Sequence, residues 1–158
     1  MEFLPYIYLT YMFISIYMLS LFLIIYFRNN HRFFSYPQIT KNYSITLITP
    51  AYNEERTIQQ TIDHIFAIDY DIEELIVVND FSKDDTKKIV ENLLLKYPKL
   101  KLINNEENLG KAGSLNKAWK LSNSELIAVV DADSFPKADS LRKMIGYFDD
   151  PKVGAVTC

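Results

Sequence analysis

Residues 126–133 read LIAVVDAD, an apolar run followed at once by two acidic residues, Asp131 and Asp133. The run predicts a buried strand, so the acidic pair lies at its carboxyl end, where open α/β sheets bind ligands. Side chains two residues apart on an extended segment point the same way. Because neighbouring carboxylates repel each other, a divalent cation that itself holds a diphosphate is a natural ligand. The alternative is a polar turn in which Asp133 and Ser134 cap the next helix.

Apolar runs alternate with amphipathic segments along the rest of the chain. The pattern predicts strands at residues 45–49, 75–78, 100–103, 126–130 and 153–158, and helices at 54–66, 86–97, 111–121 and 139–148. Nearly unbroken apolar strands that alternate with helices predict an α/β fold, a mostly parallel sheet with helices on both faces.

Polar residues follow four of these predicted strands. They are residues 52–54, 79–80 and 108–111, and the acidic pair at 131 and 133. Because the carboxyl ends of parallel strands meet at one edge of a sheet, these residues are expected to form one site. Each group taken separately also fits a solvated loop or a helix cap, with Asn53 capping one helix and Ser82 or Asp84 the next.

The amino-terminal segment has a different composition, since no residue from 3 to 27 is charged. Such a stretch is long enough to span a bilayer, and a soluble core helix would normally show a polar face. Arg28, His31 and Arg32 follow it, while only Glu2 precedes it. The positive-inside rule therefore predicts a transmembrane anchor at residues 1–28, a juxtamembrane linker at 29–44 and a cytoplasmic domain at 45–158.

Composition and motifs exclude several other classes of protein. The net charge of −3 gives no general attraction to nucleic acid. The single cysteine, Cys158, suits a reducing compartment. Lys111 is followed by Ala112 rather than Ser or Thr, so residues 105–112 are no P-loop. His31 and His64 have no partner at the spacing of a zinc site.

Four motifs together resemble glycosyltransferase family 2. They are residues 49–55 (TPAYNEE), 77–86 (VVNDFSKDDT), 108–116 (NLGKAGSLN) and 131–133 (DAD). With the preceding anchor, the chain resembles the membrane-bound branch of the family, which includes hyaluronan, chitin-oligosaccharide and poly-N-acetylglucosamine synthases. The resemblance implies a GT-A fold for residues 45–158 and inverting sugar transfer from a nucleotide-sugar donor, with UDP as the expected nucleotide.

The resemblance also implies roles for residues at the start of the domain. Pro50, Ala51 and Tyr52 would line the nucleobase, and Glu54 would lie near the ribose. Asp80 would accept the imide hydrogen of uracil. In the family, glycine commonly stands where this chain has Phe81, so the turn after Asp80 is expected to be less open.

The remaining roles concern the diphosphate and the metal. Lys111 would sit near the base or the diphosphate, and Asp131 near the ribose and the diphosphate. Asp133 would bind Mg²⁺ or Mn²⁺. A divalent cation suits this position because it neutralises the leaving diphosphate as the glycosyl bond breaks.

The expected enzyme is a membrane-anchored hexosyltransferase of polysaccharide biosynthesis, single-pass in the plasma membrane, with a saccharide or lipid as acceptor. No general base is recognised in this sequence, and the family's acidic motif for that role is expected beyond Cys158, in a missing carboxyl-terminal half. Two alternatives stay open: a non-catalytic nucleotide-sugar-binding module, and one half of a split enzyme with a complementary carboxyl-terminal half. A sugar-phosphate nucleotidyltransferase is disfavoured because residues 50–54 contain no glycine.

Overall fold

The computed structural model describes residues 3–30 and 35–157. The chain divides into two compact units, Met1–Pro37 and Gln38–Cys158. Three residues used above lie outside the described residues. They are His31 and Arg32, which support the predicted membrane topology, and Cys158, which suits a reducing compartment.

The first unit contains one long helix, α1 (Leu4–Asn29). Pro5 lies in its first turn, where the missing N–H costs no helical hydrogen bond. The hydroxyls of Thr10 and Ser20 each donate to the carbonyl four residues back, at 2.8 Å. With a mean hydropathy of 2.0, α1 is long and apolar enough to cross a membrane.

The second unit is built on a four-stranded parallel sheet. Its strands are β1 (Ile45–Ala51), β2 (Glu74–Asn79), β3 (Leu100–Asn104) and β4 (Leu126–Val129), in the order β3-β2-β1-β4. On one side of β1 lie β2 and then β3, and on its other side lies β4. The point where the strand order reverses, between β1 and β4, is where open α/β sheets form a ligand crevice.

Helices cover both faces of the sheet, but unequally. The helices are α2 (Ile58–Phe66), α3 (Thr86–Leu93), α4 (Gly110–Trp119) and α5 (Ser140–Ile145), followed by a 3-10 turn at Gly146–Asp149. Residues of α2, α3 and α5 share the larger apolar core with one face of the sheet. On the other face, Ala118 and Leu115 of α4 pack against β1 and β2. The predicted parallel sheet with helices on both faces is confirmed.

The strand before the acidic pair is buried on one face only. Leu126 and Ala128 pack against the larger core, whereas Ile127 and Val129 are exposed by 42% and 48%. The expectation of a fully buried run was therefore wrong. The cause is the position of α4, whose apolar residues pack on β1 and β2 but do not reach β4.

Three further expectations, a strand, a helix start and a helix cap, are also wrong. Residues 153–157 form no strand and follow a turn in which the Val153 amide donates to the Asp150 carbonyl at 2.9 Å. An extended run without a hydrogen-bonded neighbour is not a strand, so a predicted fifth strand is absent from the described residues. Helix α2 begins at Ile58 rather than residue 54. Asn53 does not cap it, because its backbone adopts a φ of 57° and its side chain bonds elsewhere.

Residues 40–44 are hydrogen-bonded to the sheet unit. Asp149 accepts bonds from the hydroxyls of Thr40 and Tyr43, at 2.7 and 2.9 Å. The Ser44 hydroxyl accepts the amide of Glu125 at 2.9 Å, just before β4 begins. We predict residues 29–44 as a linker. The part of this segment from Gln38 onward belongs to the second compact unit.

Candidate functional site

A cavity of about 260 Å³ opens at the carboxyl edge of the sheet, beside the point where the strand order reverses. Its lining consists of Pro50, Ala51, Tyr52, Glu54, Asp80, Lys111, Asp131, Ala132 and Asp133. All eight residues that the sequence analysis singled out therefore meet in one place. Residues separated by up to 83 positions in sequence converge because parallel strands deliver their carboxyl ends to the same edge.

The first wall of the cavity comes from β1 and the loop after it. The Asp80 amide donates to the Ala51 carbonyl at 2.8 Å and holds the ends of β1 and β2 together. Beyond Ala51 the backbone turns through Asn53, whose φ of 57° lies in the left-handed region that asparagine tolerates better than most residues. Tyr52, half-exposed beside this turn, lines the cavity.

The loop after β1 is locked to the loop after β2 by reciprocal hydrogen bonds. The Asn53 amide donates to the Ser82 hydroxyl at 3.0 Å, and the Asn53 side chain accepts the Lys83 amide at 2.8 Å. The Glu54 amide donates to the Thr86 hydroxyl at 2.8 Å. Backbone groups that would otherwise lose their partners are thereby satisfied, and the first wall is held in place.

Asp84 completes this lock and also supports the start of α3. Its carboxylate accepts the amides of Glu55 and Thr86, at 3.0 and 3.1 Å. Burial alone raises the pKa of Asp84, but the bonds from the Thr86 hydroxyl and from these backbone amides outweigh it and lower the pKa. Of the two residues predicted to cap α3, Ser82 and Asp84, it is thus Asp84 that accepts the first amide of the helix.

Asp80 lies at the floor of the cavity and is only 3% exposed. One oxygen of its carboxylate accepts the Asn105 side-chain amide and the Leu109 backbone amide, each at 2.8 Å. Burial raises the pKa of Asp80, whereas these hydrogen bonds, with weaker help from Ser114, lower it, and the net direction is downward. The carboxylate is therefore ionised at neutral pH and can act only as an acceptor.

Helix α4 begins beside Asp80 in a tight turn. Gly110 has a φ of 71°, a conformation that favours glycine, and its amide donates to the Asn108 side chain at 3.0 Å. A Cβ on Gly113 would lie 2.7 Å from the Cβ of Leu109. Glycine at position 113 therefore leaves room for the Leu109 side chain. This position of Leu109 lets its backbone amide donate to the Asp80 carboxylate.

The acidic pair follows β4 in a turn closed by the Ser134 amide, which donates to the Asp131 carbonyl at 3.0 Å. Ala132 is buried, and its carbonyl accepts the Thr61 hydroxyl at 2.7 Å. With Ala132 anchored in the core, Asp131 and Asp133 both remain exposed and line the cavity. The segment is a turn rather than the extended strand end we expected, yet the alternation of burial is the same.

Lys111 supplies the positive charge of the cavity. Its ammonium lies 2.5 Å from the Asp131 carboxylate, and both side chains are about half-exposed. Among the described residues, no group of three or more His, Cys, Asp or Glu side chains could hold a metal ion. A cation at Asp133 would therefore need oxygen ligands from its substrate or from water to complete its coordination.

The sequence analysis missed Asn105 and Ser114, which are buried beneath Asp80. Asn105 follows β3 directly, at the same edge of the sheet as the other polar residues. Its position at a strand end was a signal that could have identified it. Ser114 lies inside α4, and no sequence pattern distinguished it from a packed helix residue.

The comparisons with known proteins agree with this architecture. The model of glycosyl transferase family 2 matches residues 46–158, most of the chain. The chain belongs to glycosyltransferase family 2. Its parallel sheet, covered by helices and open at the carboxyl edge, is the GT-A fold of this family.

Among curated glycosyltransferases, the chain is similar to the poly-beta-1,6-N-acetyl-D-glucosamine synthases of Staphylococcus aureus strain COL and Staphylococcus epidermidis. Each is 34% identical over 114 residues, which cover 72% of this chain. The match covers 27% of each relative. The chain therefore spans about a quarter of the length of the curated relatives it matches.

Two solved structures share the fold. The mannosyltransferase PcManGT from Pyrobaculum calidifontis, in complex with GDP-Man and Mn²⁺, has a TM-score of 0.73 and 32% identity over 86% of this chain and 42% of that one. S. aureus TarS 1–349 in complex with UDP-GlcNAc has a TM-score of 0.59 and 30% identity over 68% of this chain and 31% of that one.

Family membership also clarifies the position of Phe81. Phe81, at the position where the resemblance leads us to expect glycine, has a φ of 61°, a conformation open to glycine but costly for other residues. The turn after Asp80 keeps the conformation that glycine would provide, although a bulky side chain occupies it.

Proposed function

We propose that this chain provides the donor- and metal-binding half of a membrane-anchored, inverting glycosyltransferase whose donor is a UDP-sugar. The observation that carries the proposal is the single cavity at the carboxyl edge of the sheet, where Tyr52, Asp80, Lys111 and the pair Asp131 and Asp133 meet. An aromatic side chain, a buried acceptor, an ammonium and two carboxylates match the chemistry of a nucleotide-sugar and its cation.

The nucleobase and ribose are assigned to the side of the cavity formed by β1 and β2. Pro50, Ala51 and Tyr52 line the base, and Glu54 lies towards the ribose. Asp80 accepts the imide hydrogen of uracil, a role for which a buried and ionised carboxylate is suited because it can only accept. A base that presents an acceptor instead of an N–H would leave this buried carboxylate without a donor, which is costly, so the pairing selects the base.

The diphosphate is assigned to the opposite side, towards α4 and the turn after β4. Lys111 lies near the diphosphate, Asp131 near the ribose and diphosphate, and Asp133 would hold Mg²⁺ or Mn²⁺. The carboxylate oxygens of Asp133 are hard ligands, which suit a hard cation such as Mg²⁺ or Mn²⁺. When bound, the cation would neutralise the leaving diphosphate. The Lys111 ammonium beside Asp131 already reduces repulsion between the two carboxylates.

We base the choice of uracil on Asp80 and on the UDP-GlcNAc complex of TarS, and the use of a metal on the Mn²⁺ of PcManGT. The bound ligand of TarS is UDP-GlcNAc, and the curated relatives are poly-beta-1,6-N-acetyl-D-glucosamine synthases. The PcManGT structure contains GDP-Man and Mn²⁺. We therefore propose a UDP-hexose donor and a saccharide or lipid acceptor. The general base that would deprotonate the acceptor hydroxyl is not among the residues assigned here.

Membrane attachment through α1 is part of the proposal. The helix is apolar on all sides and exposed along its length in this structure. Arg28 in its last turn favours a cytoplasmic carboxyl end. The cavity would then face the cytoplasm, where nucleotide-sugars are made.

The proposal is tested by calorimetry of UDP binding to the full chain in detergent micelles. We expect Mn²⁺ or Mg²⁺ to raise UDP affinity roughly tenfold or more over a chelator, which corresponds to about 1.4 kcal/mol or more. Asp133→Ala should abolish this difference, while Asp150→Ala, an exposed carboxylate outside the cavity, should retain it. Metal-independent UDP binding would contradict the metal assignment, and no UDP binding at all would contradict the proposed function.

A further inference from the structure

A buried chain of polar groups connects α4 to the floor of the cavity. Asn105 and Ser114 are 5% and 0% exposed, and both lie beside Asp80. The Asn105 side-chain nitrogen donates to Asp80 at 2.8 Å and to the Ser114 hydroxyl at 3.0 Å. Its side-chain oxygen accepts the Lys117 ammonium at 2.9 Å. Every polar atom of the Asn105 side chain therefore has a partner.

The Lys117 contact determines which way the Asn105 amide faces. An ammonium can only donate hydrogen bonds, and an ionised carboxylate can only accept them. The amide oxygen must therefore face Lys117, and the amide nitrogen must face Asp80. The reverse orientation would set nitrogen against ammonium and oxygen against carboxylate. Backbone contacts hold Asn105 in register, since its amide donates to the Asn79 carbonyl at 3.0 Å.

We propose that Asn105, oriented by Lys117, is a positioning residue that aims the Asp80 carboxylate at the nucleobase and so determines base selectivity. The inference rests on the proposed function, because it assumes that Asp80 receives the imide hydrogen. Without the Asn105 donor, Asp80 keeps the Leu109 amide and the weaker contact with Ser114 but loses a 2.8 Å hydrogen bond, and the carboxylate is held less firmly. None of the residues that hold Asp80 in this way needs to touch the nucleotide.

The test compares UDP with CDP in the presence of Mn²⁺. Uracil presents an N3–H donor to Asp80, whereas the corresponding N3 of cytosine is an acceptor. Asn105→Leu should lower UDP affinity roughly tenfold, about 1.4 kcal/mol, and leave CDP affinity unchanged. Lys117→Met, at an exposed position that should not disturb folding, should change UDP affinity in the same direction by a smaller factor. Lys120→Met, an exposed lysine at the end of the same helix, is the matched control and should change neither.

A second measurement needs no nucleotide. The carboxyl carbon resonance of Asp80, followed by NMR through an acid titration, should report a higher pKa in Asn105→Leu than in the unaltered chain, because a donor to the charged form is lost. The Lys120→Met chain should titrate like the unaltered one.

The outcomes separate this inference from the proposed function. If Asp80→Asn leaves UDP affinity unchanged in a folded chain, the assignment of the base to Asp80 fails, and the inference fails with it. If Asp80→Asn weakens UDP binding but Asn105→Leu does not, the inference alone is overturned. Equal losses for UDP and CDP in Asn105→Leu, or an unchanged Asp80 titration, would likewise show a purely structural role.

Discussion

Two fully buried threonines illustrate how differently one side chain behaves in two settings. Thr49 in β1 and Thr61 in α2 are both 0% exposed. The Thr61 hydroxyl donates to the Ala132 carbonyl at 2.7 Å and anchors the turn that carries the acidic pair. Among the described residues, the Thr49 hydroxyl is the one buried side-chain polar atom without a hydrogen-bond partner.

This contrast predicts opposite effects of the same substitution. Thr49→Val replaces an unsatisfied hydroxyl with a methyl of similar shape and should raise the free energy of unfolding by about 1 kcal/mol. Thr61→Val removes the bond to the carbonyl of the buried Ala132 and should lower the free energy of unfolding by about 1–2 kcal/mol. Chemical denaturation followed by the fluorescence of Trp119, the single tryptophan, measures both. Destabilisation by Thr49→Val would show that its hydroxyl has a partner.

The turn that joins β2 to α3 places both a functional carboxylate and a strained residue. Asp80 follows the last residue of β2, and Phe81 comes next with a φ of 61°. The Phe81 side chain is 39% exposed, and the Lys83 ammonium lies 3.3 Å from the centre of its ring. The turn is held by the Ser82 amide, which donates to the Asn79 side chain at 3.3 Å. The surrounding hydrogen bonds therefore impose a conformation that phenylalanine does not favour.

We expect Phe81→Gly to be more stable than Phe81→Ala by about 1 kcal/mol. Both substitutions remove the ring and its contact with Lys83, so the difference between them isolates the backbone cost of a positive φ. Thermal or urea unfolding of the two variants measures this difference directly. Equal stabilities, or a more stable alanine variant, would show that the turn relaxes and that Phe81 is not strained.

At the scale of the whole molecule, one apolar helix precedes an α/β unit that carries the cavity. The proposed function requires that the unit face the compartment in which nucleotide-sugars are made. Arg28 follows the apolar stretch directly, whereas only Glu2 precedes it. The charge bias therefore favours a cytoplasmic carboxyl end.

A reporter fused after residue 37, at the junction between the two units, should accordingly be cytoplasmic. A pair of reporters, one active only in the cytoplasm and one only outside it, measures the orientation in intact cells. The matched variant carries Arg28→Glu and Arg32→Glu. Its molecules should be divided between the two orientations more evenly than those of the unaltered chain. An external reporter on the unaltered helix would contradict the topology and the route by which the donor reaches the cavity.

The sequence by itself determined four strands and four helices of the α/β unit, their parallel arrangement and, with the family resemblance, the residues around the cavity. Apolar runs of strand length, separated by amphipathic helices, allow few arrangements other than a covered parallel sheet. In such a sheet the strand ends share one edge. The convergence of Asp80, Lys111 and Asp131 therefore followed from the parallel arrangement of the strands, without knowledge of any distance.

Tertiary structure alone decided how each of these groups is held. The pKa of Asp80 depends on Asn105 and Leu109, which lie 25 and 29 residues away along the chain. No local pattern encodes contacts over such separations. The start of α2 at Ile58 and the one-sided burial of β4 have the same origin. A capping residue or an apolar run indicates the local preference of a segment. The neighbours that the fold places around the segment determine which hydrogen bonds form and which face is buried.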